Sequence, residues 1–143
     1  MQILEKLKPL ALLCLRLALG VIFSYSGYRK LFVTTATTLA DFGHMGLPPY
    51  LAYVAGVLEL FGAILLILGL LTRVTALLLA VEMGFVLFKV DIPRSGIYAV
   101  PNYQFPLLLC VAAFALATVG AGALSVDAGT FERAGKARPK SKG

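Results

Sequence analysis

Three ionisable residues, Arg16, Glu59 and Glu82, each stand inside a run of otherwise apolar sequence. An ionised group near the centre of a bilayer costs a few kcal/mol unless it is paired or hydrated, so these three are expected to face inward, toward one another. Helical spacing agrees. At about 100° per residue, Arg16, Gly20, Phe23, Gly27 and Lys30 share one narrow stripe, and Thr75, Glu82 and Lys89 share another. Counted at about 1.5 Å per residue from the helix ends that face the same side, Arg16 and Glu82 fall at similar depths, with Glu59 nearer the midplane. Arg16 to Glu82 is therefore the expected ion pair. One arginine cannot neutralise two glutamates, and a carboxylate left over in a low-dielectric site is expected to keep its proton. Glu59 is the expected proton carrier, with Lys30 or Lys89 reaching in from the outer ends to complete the charge balance. The rival reading is that such pairs only fix which helices pack together.

The elements that position these charges follow from composition. The chain has 143 residues, 59% of them hydrophobic and only 14% charged, with a mean hydropathy of +0.89, far from soluble globular usage, in which about a quarter of residues are charged. Spanning hydrocarbon takes about 20 mostly apolar residues per helix, and four such runs are present: 10–28, 51–71, 74–90 and 105–122. They are continuous, rich in Leu and Ala, and too long for the strands of a membrane barrel, at about 10 residues each. The expected fold is all-α, a transmembrane four-helix bundle over residues 1–127. A cleaved signal peptide is the rival reading of the first run, which follows Lys6 and Lys8 and reaches Ser24-Tyr25-Ser26, but Arg16 lies within its apolar region.

Charge sets the expected orientation. Lys6, Lys8, Arg73 and the tail residues Arg133, Lys136, Arg138, Lys140 and Lys142 fall on one side, against Arg29, Lys30, Lys89 and Arg94 on the other. The positive-inside rule puts both termini in the cytoplasm, with the plasma membrane, in bacteria the inner membrane, as the location. The tail, 128–143, has little to bury and is expected to be disordered beside anionic headgroups. No aromatic residue or motif accompanies its charges to suggest a nucleic-acid partner.

Little more than Thr72 and Arg73 separates the second and third runs, which makes those helices antiparallel neighbours. In the longer first loop, Phe32 to Phe42 is expected to form a short interfacial helix, ended by Gly43 and Gly46 before Pro48-Pro49. His44 lies there and is weighed as a ligand or proton carrier against plain solvation. The loop from Asp91 to Asn102 is expected to be irregular and to help cover the outer mouth. Cys14 and Cys110 sit at different depths, so no disulfide is expected. Gly56, Gly62, Gly69, Ala113 and Ala117 are small enough to let helices approach closely.

The chain resembles the DoxX family of small four-helix membrane proteins over nearly its whole length. The resemblance is carried by Arg16-Leu-Ala-Leu-Gly20, Gly27-Tyr-Arg-Lys30, Gly46-Leu-Pro48, Gly56-Val-Leu-Glu59-Leu-Phe-Gly62, Leu68-Gly69-Leu70, Leu71-Thr-Arg73, Asn102 and Leu124-Ser-Val-Asp127, in that order. Where the family frequently has an acidic residue just after the asparagine, this chain has Asn102-Tyr-Gln104-Phe. The resemblance implies the fold more strongly than an activity: the family is linked to thiosulfate:quinone oxidoreduction, to redox-stress complexes and to assembly of other membrane proteins.

Three functions are weighed. The first is a membrane subunit of an oxidoreductase complex, with a quinone headgroup in a polar interior built from Arg16, Lys30, Glu59, Glu82, Lys89, Asn102 and Gln104, Arg16 and Lys30 donating to its oxygens. The sequence carries no haem, flavin or iron–sulfur motif and no metal site, so a partner subunit would supply the electrons. The second is a non-enzymatic assembly or scaffold factor whose small-residue faces bind other helices, in a hetero- or homo-oligomer. The third, ranked last, is a path for a proton or small solute.

Overall fold

Apolar runs of this length have one way to satisfy their backbone in lipid, which is to coil, and the computed structural model, which describes residues 1–127 and 129, is helical throughout its regular structure. Helix α1 (Gln2–Tyr28) runs on through a wide π turn, Arg29–Val33, to α2 (Thr35–His44). Helix α3 (Tyr50–Leu68) is followed by α4 (Thr72–Val86), which passes through a second π turn, Leu87–Asp91, into the single turn of α5 (Ile92–Ser95). Helix α6 (Val100–Val119) completes the bundle. The tail 128–143, expected to be disordered, lies outside the described residues except for residue 129.

Helix α1 packs along α3 and α4 along α6, with α3 beside α4 through their short connection; α1 and α6 touch only sparingly. Leu19, Phe23, Ala63, Leu66, Ala76, Leu79, Met83, Leu109 and Leu116 form the buried core. The outside is as apolar as the inside: Val21, Tyr25, Phe61, Val81, Phe85, Leu108 and Val111 are all exposed. A surface of that kind belongs against acyl chains. Among the described residues, two helical stretches, Gln2–Val33 and Tyr50–Leu68, are long and apolar enough to cross a membrane, and Tyr103–Val119 is a shorter apolar helix.

The α1–α3 contact depends on glycine. A Cβ on Gly27 would stand 2.8 Å from the Gly56 carbonyl oxygen and 2.8 Å from the Leu60 amide nitrogen, and one on Gly20 would stand 2.5 Å from Ile67 Cγ1. Gly56 and Gly62 are likewise filled against Leu31 and Leu79 of this same chain.

Several boundaries differ from expectation. The second helix stops at Leu68, because Gly69 takes a left-handed φ of 74° and ends it; Thr72 and Arg73, expected in the connection, already belong to α4. The short helix of the first loop is Thr35–His44, since residues 29–33 continue α1 as a π turn, and Gly43 lies within it. Gly46, at φ 70°, follows its end. The third loop is mostly helical, and α6 begins at Val100 with Pro101 in its first turn, where a missing N–H costs nothing.

Candidate functional site

Lys30 is carried by the π turn that extends α1, and such wide turns recur at functional sites. Its ammonium donates to Glu59 Oε1 at 2.6 Å and lies 3.8 Å from Glu82 Oε1. Three helices thus contribute one charge each to a single cluster. The Glu59 side chain is fully buried, that of Glu82 is 10% exposed and that of Lys30 is 21% exposed. Glu59 Oε2 and both oxygens of Glu82 are buried and receive no hydrogen bond. One cation therefore serves two carboxylates, and three carboxylate oxygens still lack donors.

Lys30 also lines a cleft of about 620 Å³ where α1 and α6 separate. Its walls are apolar: Val21 and Ile22 on α1, Met83 and Val86 on α4, Phe105 and Leu109 on α6. Its polar end is Arg29, Lys30, Thr34 and Thr38. Thr34 and Thr38 spend their hydroxyl protons on the carbonyls of Arg29 and Thr34, at 3.2 and 2.9 Å. The Arg29 guanidinium carbon lies 5.8 Å from the centre of the Tyr25 ring, within cation–π range.

Arg16 is elsewhere, which corrects the expected Arg16–Glu82 pair. It is 1% exposed and donates from Nε to the Leu66 carbonyl at 3.0 Å, from Nη1 to Ala121 at 3.0 Å and Leu124 at 2.6 Å, and from Nη2 to Ile67 at 3.2 Å. Leu66 and Ile67 belong to the last turn of α3, whose carbonyls carry the negative end of the helix dipole; the Leu66 carbonyl also accepts from the Gly69 amide at 3.2 Å. The guanidinium caps that end and ties down the segment after α6. The depth count failed because α1 begins at Gln2: its first turns extend past the α3–α4 connection, so Arg16 stands level with that connection. Lys30, fourteen residues further along α1, lies about 21 Å away along the axis.

A model of the DoxX family matches residues 11–91, more than half of the chain. The chain belongs to the DoxX family. It is 34% identical over 122 residues to a Bacillus subtilis protein named "Putative oxidoreductase CatD", covering 84% of this chain and 87% of that one. It is also 34% identical over 136 residues to an uncharacterized protein of Haemophilus influenzae, covering 93% of this chain and all of the relative. An uncharacterized membrane protein of Mycobacterium tuberculosis is 33% identical over 92 residues, 62% of this chain and 56% of that protein. No solved structure matches. Membrane residence thus follows from the family as well as from the apolar exterior.

In this DoxX protein the remaining residues weighed for the polar interior are dispersed. Lys89, carried by the π turn Leu87–Asp91, and Gln104 are both exposed. The Asn102 side chain lies outside the described residues. His44 is exposed at the end of α2. Sequence reading gave Asp127 no role, yet its carboxylate accepts from the backbone N–H of Leu71 at 2.9 Å and of Thr72 at 3.0 Å, and its own N–H donates to the Gly69 carbonyl at 3.0 Å. It caps α4 from 55 residues away in sequence. The one available signal was its position in the Leu124-Ser-Val-Asp127 motif just after the last apolar run.

Proposed function

We propose that this DoxX protein is the membrane subunit of an oxidoreductase complex and that its α1–α4–α6 cleft receives a quinone headgroup, with a ring oxygen accepting a hydrogen bond from Lys30. The observation that carries this reading is the position of Lys30: this residue lines the polar end of an apolar cleft of about 620 Å³, and its ammonium is paired with Glu59 and lies near Glu82. An apolar slot with a few convergent polar groups is the usual form of a small-molecule site, and a quinone offers a polar ring on an apolar tail. The name of the Bacillus subtilis relative points to the same reaction class. Electrons come from a partner subunit carrying a redox cofactor, and this chain supplies the binding slot and the protons. Both termini lie on the more basic, cytoplasmic side. Arg16 is not one of the headgroup donors, since its N–H groups are committed to four backbone carbonyls.

Of the small residues that suggested a scaffold role, Gly56, Gly62 and Gly69 are filled against side chains of this same chain, Ala113 is buried in the bundle and Ala117 is partly buried against its core. That favours the quinone reading. The test is equilibrium binding of a short-tailed ubiquinone to the protein in nanodiscs. A hydrogen bond from a charged donor is worth about 1.5–3 kcal/mol, so Lys30→Gln should weaken binding by roughly tenfold to a hundredfold. Equal affinity in the variant and the native protein refutes the proposal.

A further inference from the structure

The three charges of the Lys30 cluster do not balance, and the way they fail to balance is informative. Glu59 Oε1 accepts a short, charge-assisted hydrogen bond from Lys30 at 2.6 Å, the geometry of an ionised acceptor. Glu82 is 3.8 Å from the same ammonium, and neither of its oxygens accepts a hydrogen bond. The charged groups facing Glu82 are Lys30 from α1 and Glu59 from α3. Helix α6, packed against α4, contributes no charged side chain: its titratable residues are Tyr103, whose hydroxyl donates to the Ile97 carbonyl, and Cys110, whose thiol donates to the Ala80 carbonyl. A second anion buried beside Glu59 with no cation and no donor of its own would bear the full cost of desolvation.

We propose that Glu82 is a proton-binding site: the Glu59–Glu82 pair holds one exchangeable proton, which resides on the Glu82 carboxyl while Glu59 stays ionised against Lys30. A metal cation is a poorer occupant. Hard cations take roughly six or more oxygen ligands, against the three unpartnered carboxylate oxygens present here, and would sit beside an ammonium. A proton needs one oxygen and leaves the cluster neutral.

The assignment gives the site two protons side by side, on Lys30 Nζ and on Glu82. Resting on the quinone reading, it implies a definite order of transfer. As a quinone takes two electrons from the redox partner, Lys30 gives a proton to one ring oxygen and is left as a neutral amine. Glu82 then passes its proton to Lys30, restoring the ammonium and ending as a carboxylate. A proton from solvent reaches the second ring oxygen and completes the quinol, and a further proton from solvent restores the Glu82 carboxyl.

The proton itself is tested without any quinone, by infrared difference spectroscopy of the purified protein in a detergent free of ester groups. The expected result at neutral pH is a carbonyl stretch of an un-ionised carboxyl that shifts in deuterated buffer. Glu82→Asp should move that band in frequency and Glu59→Asp should leave it in place. Lys30→Gln, which removes the single cation, should raise its intensity about twofold as both carboxyls become neutral. No such band in the native protein, a band that appears only when sodium is withheld, or a band moved by Glu59→Asp instead would each overturn the assignment. A protein that shows the band and binds no quinone would sink the quinone reading alone.

Discussion

Removing Arg16 distinguishes the observed arrangement from an Arg16–Glu82 ion pair more sharply than any other single change. Arg16→Met takes donors from the carbonyls of Leu66, Ile67, Ala121 and Leu124 at once. Hydrogen bonds to a charged group contribute about 1.5–3 kcal/mol each, and their losses do not add fully. Leu66 and Leu65 carbonyls keep backbone partners in Gly69 and Leu70, which softens the loss at the end of α3. The net destabilisation should be about 4 kcal/mol, and Arg16→Lys should recover less than half of it, because one ammonium cannot reach carbonyls on both α3 and the segment after α6. The assay is a double-mutant cycle read by thermal or denaturant unfolding in mild detergent. Arg16→Met and Glu82→Gln share no partner, so their effects should add within about 0.5 kcal/mol. Lys30→Gln and Glu59→Gln should instead couple by more than about 1 kcal/mol, because each removes the same 2.6 Å charge-assisted hydrogen bond. A coupling above about 1 kcal/mol between Arg16 and Glu82 would refute the geometry.

Other perturbations have expected outcomes as specific. Asp127→Ala removes the acceptor for the Leu71 and Thr72 amides at a connection where Leu71 holds a left-handed φ of 46°; it should cost about 1–2 kcal/mol in unfolding experiments, with Asp127→Asn costing less because an acceptor remains. Gly27→Ala places a methyl 2.8 Å from backbone atoms of α3 that cannot step aside, so it should lower the unfolding midpoint more than Gly43→Ala, where nothing lies within 4 Å. Cys14 is exposed and Cys110 partly buried with its thiol donating to the Ala80 carbonyl; a membrane-permeant maleimide should label Cys14 faster, and oxidant should not join the two.

Much of the fold was legible because lipid leaves the backbone few choices. Continuous apolar runs must be helices, and the four expected runs fall on α1, α3, α4 and α6, of which the stretches Gln2–Val33 and Tyr50–Leu68 are long and apolar enough to cross a membrane. What periodicity could not supply was register between helices. The start of α1 ahead of Leu10 shifted the depth of Arg16 by more than two turns, and that error alone exchanged its expected partner, Glu82, for helix-end carbonyls. The two π turns were also invisible, since a single inserted residue leaves no compositional mark. One of them carries Lys30 and the other carries Lys89, which is exposed. Lys30 and Glu59 appeared among the expected interior residues, but their union depended on the glycine contact between Gly27 and Gly56, whose consequence for distance a sequence does not reveal. Asp127 as a cap for α4 was out of reach for the same reason, because its partners lie across the whole chain.

The account stands on Lys30 as the group that meets the ligand. Solid-state nitrogen NMR of lysine-labelled protein in bilayers, titrated with a short-tailed ubiquinone, observes that ammonium directly. A saturable shift of the Lys30 Nζ resonance, absent in Lys30→Gln and unaccompanied by change at the exposed Lys6 and Lys8, is the predicted result. Saturable quinone binding that leaves the Lys30 resonance where it was would contradict the account.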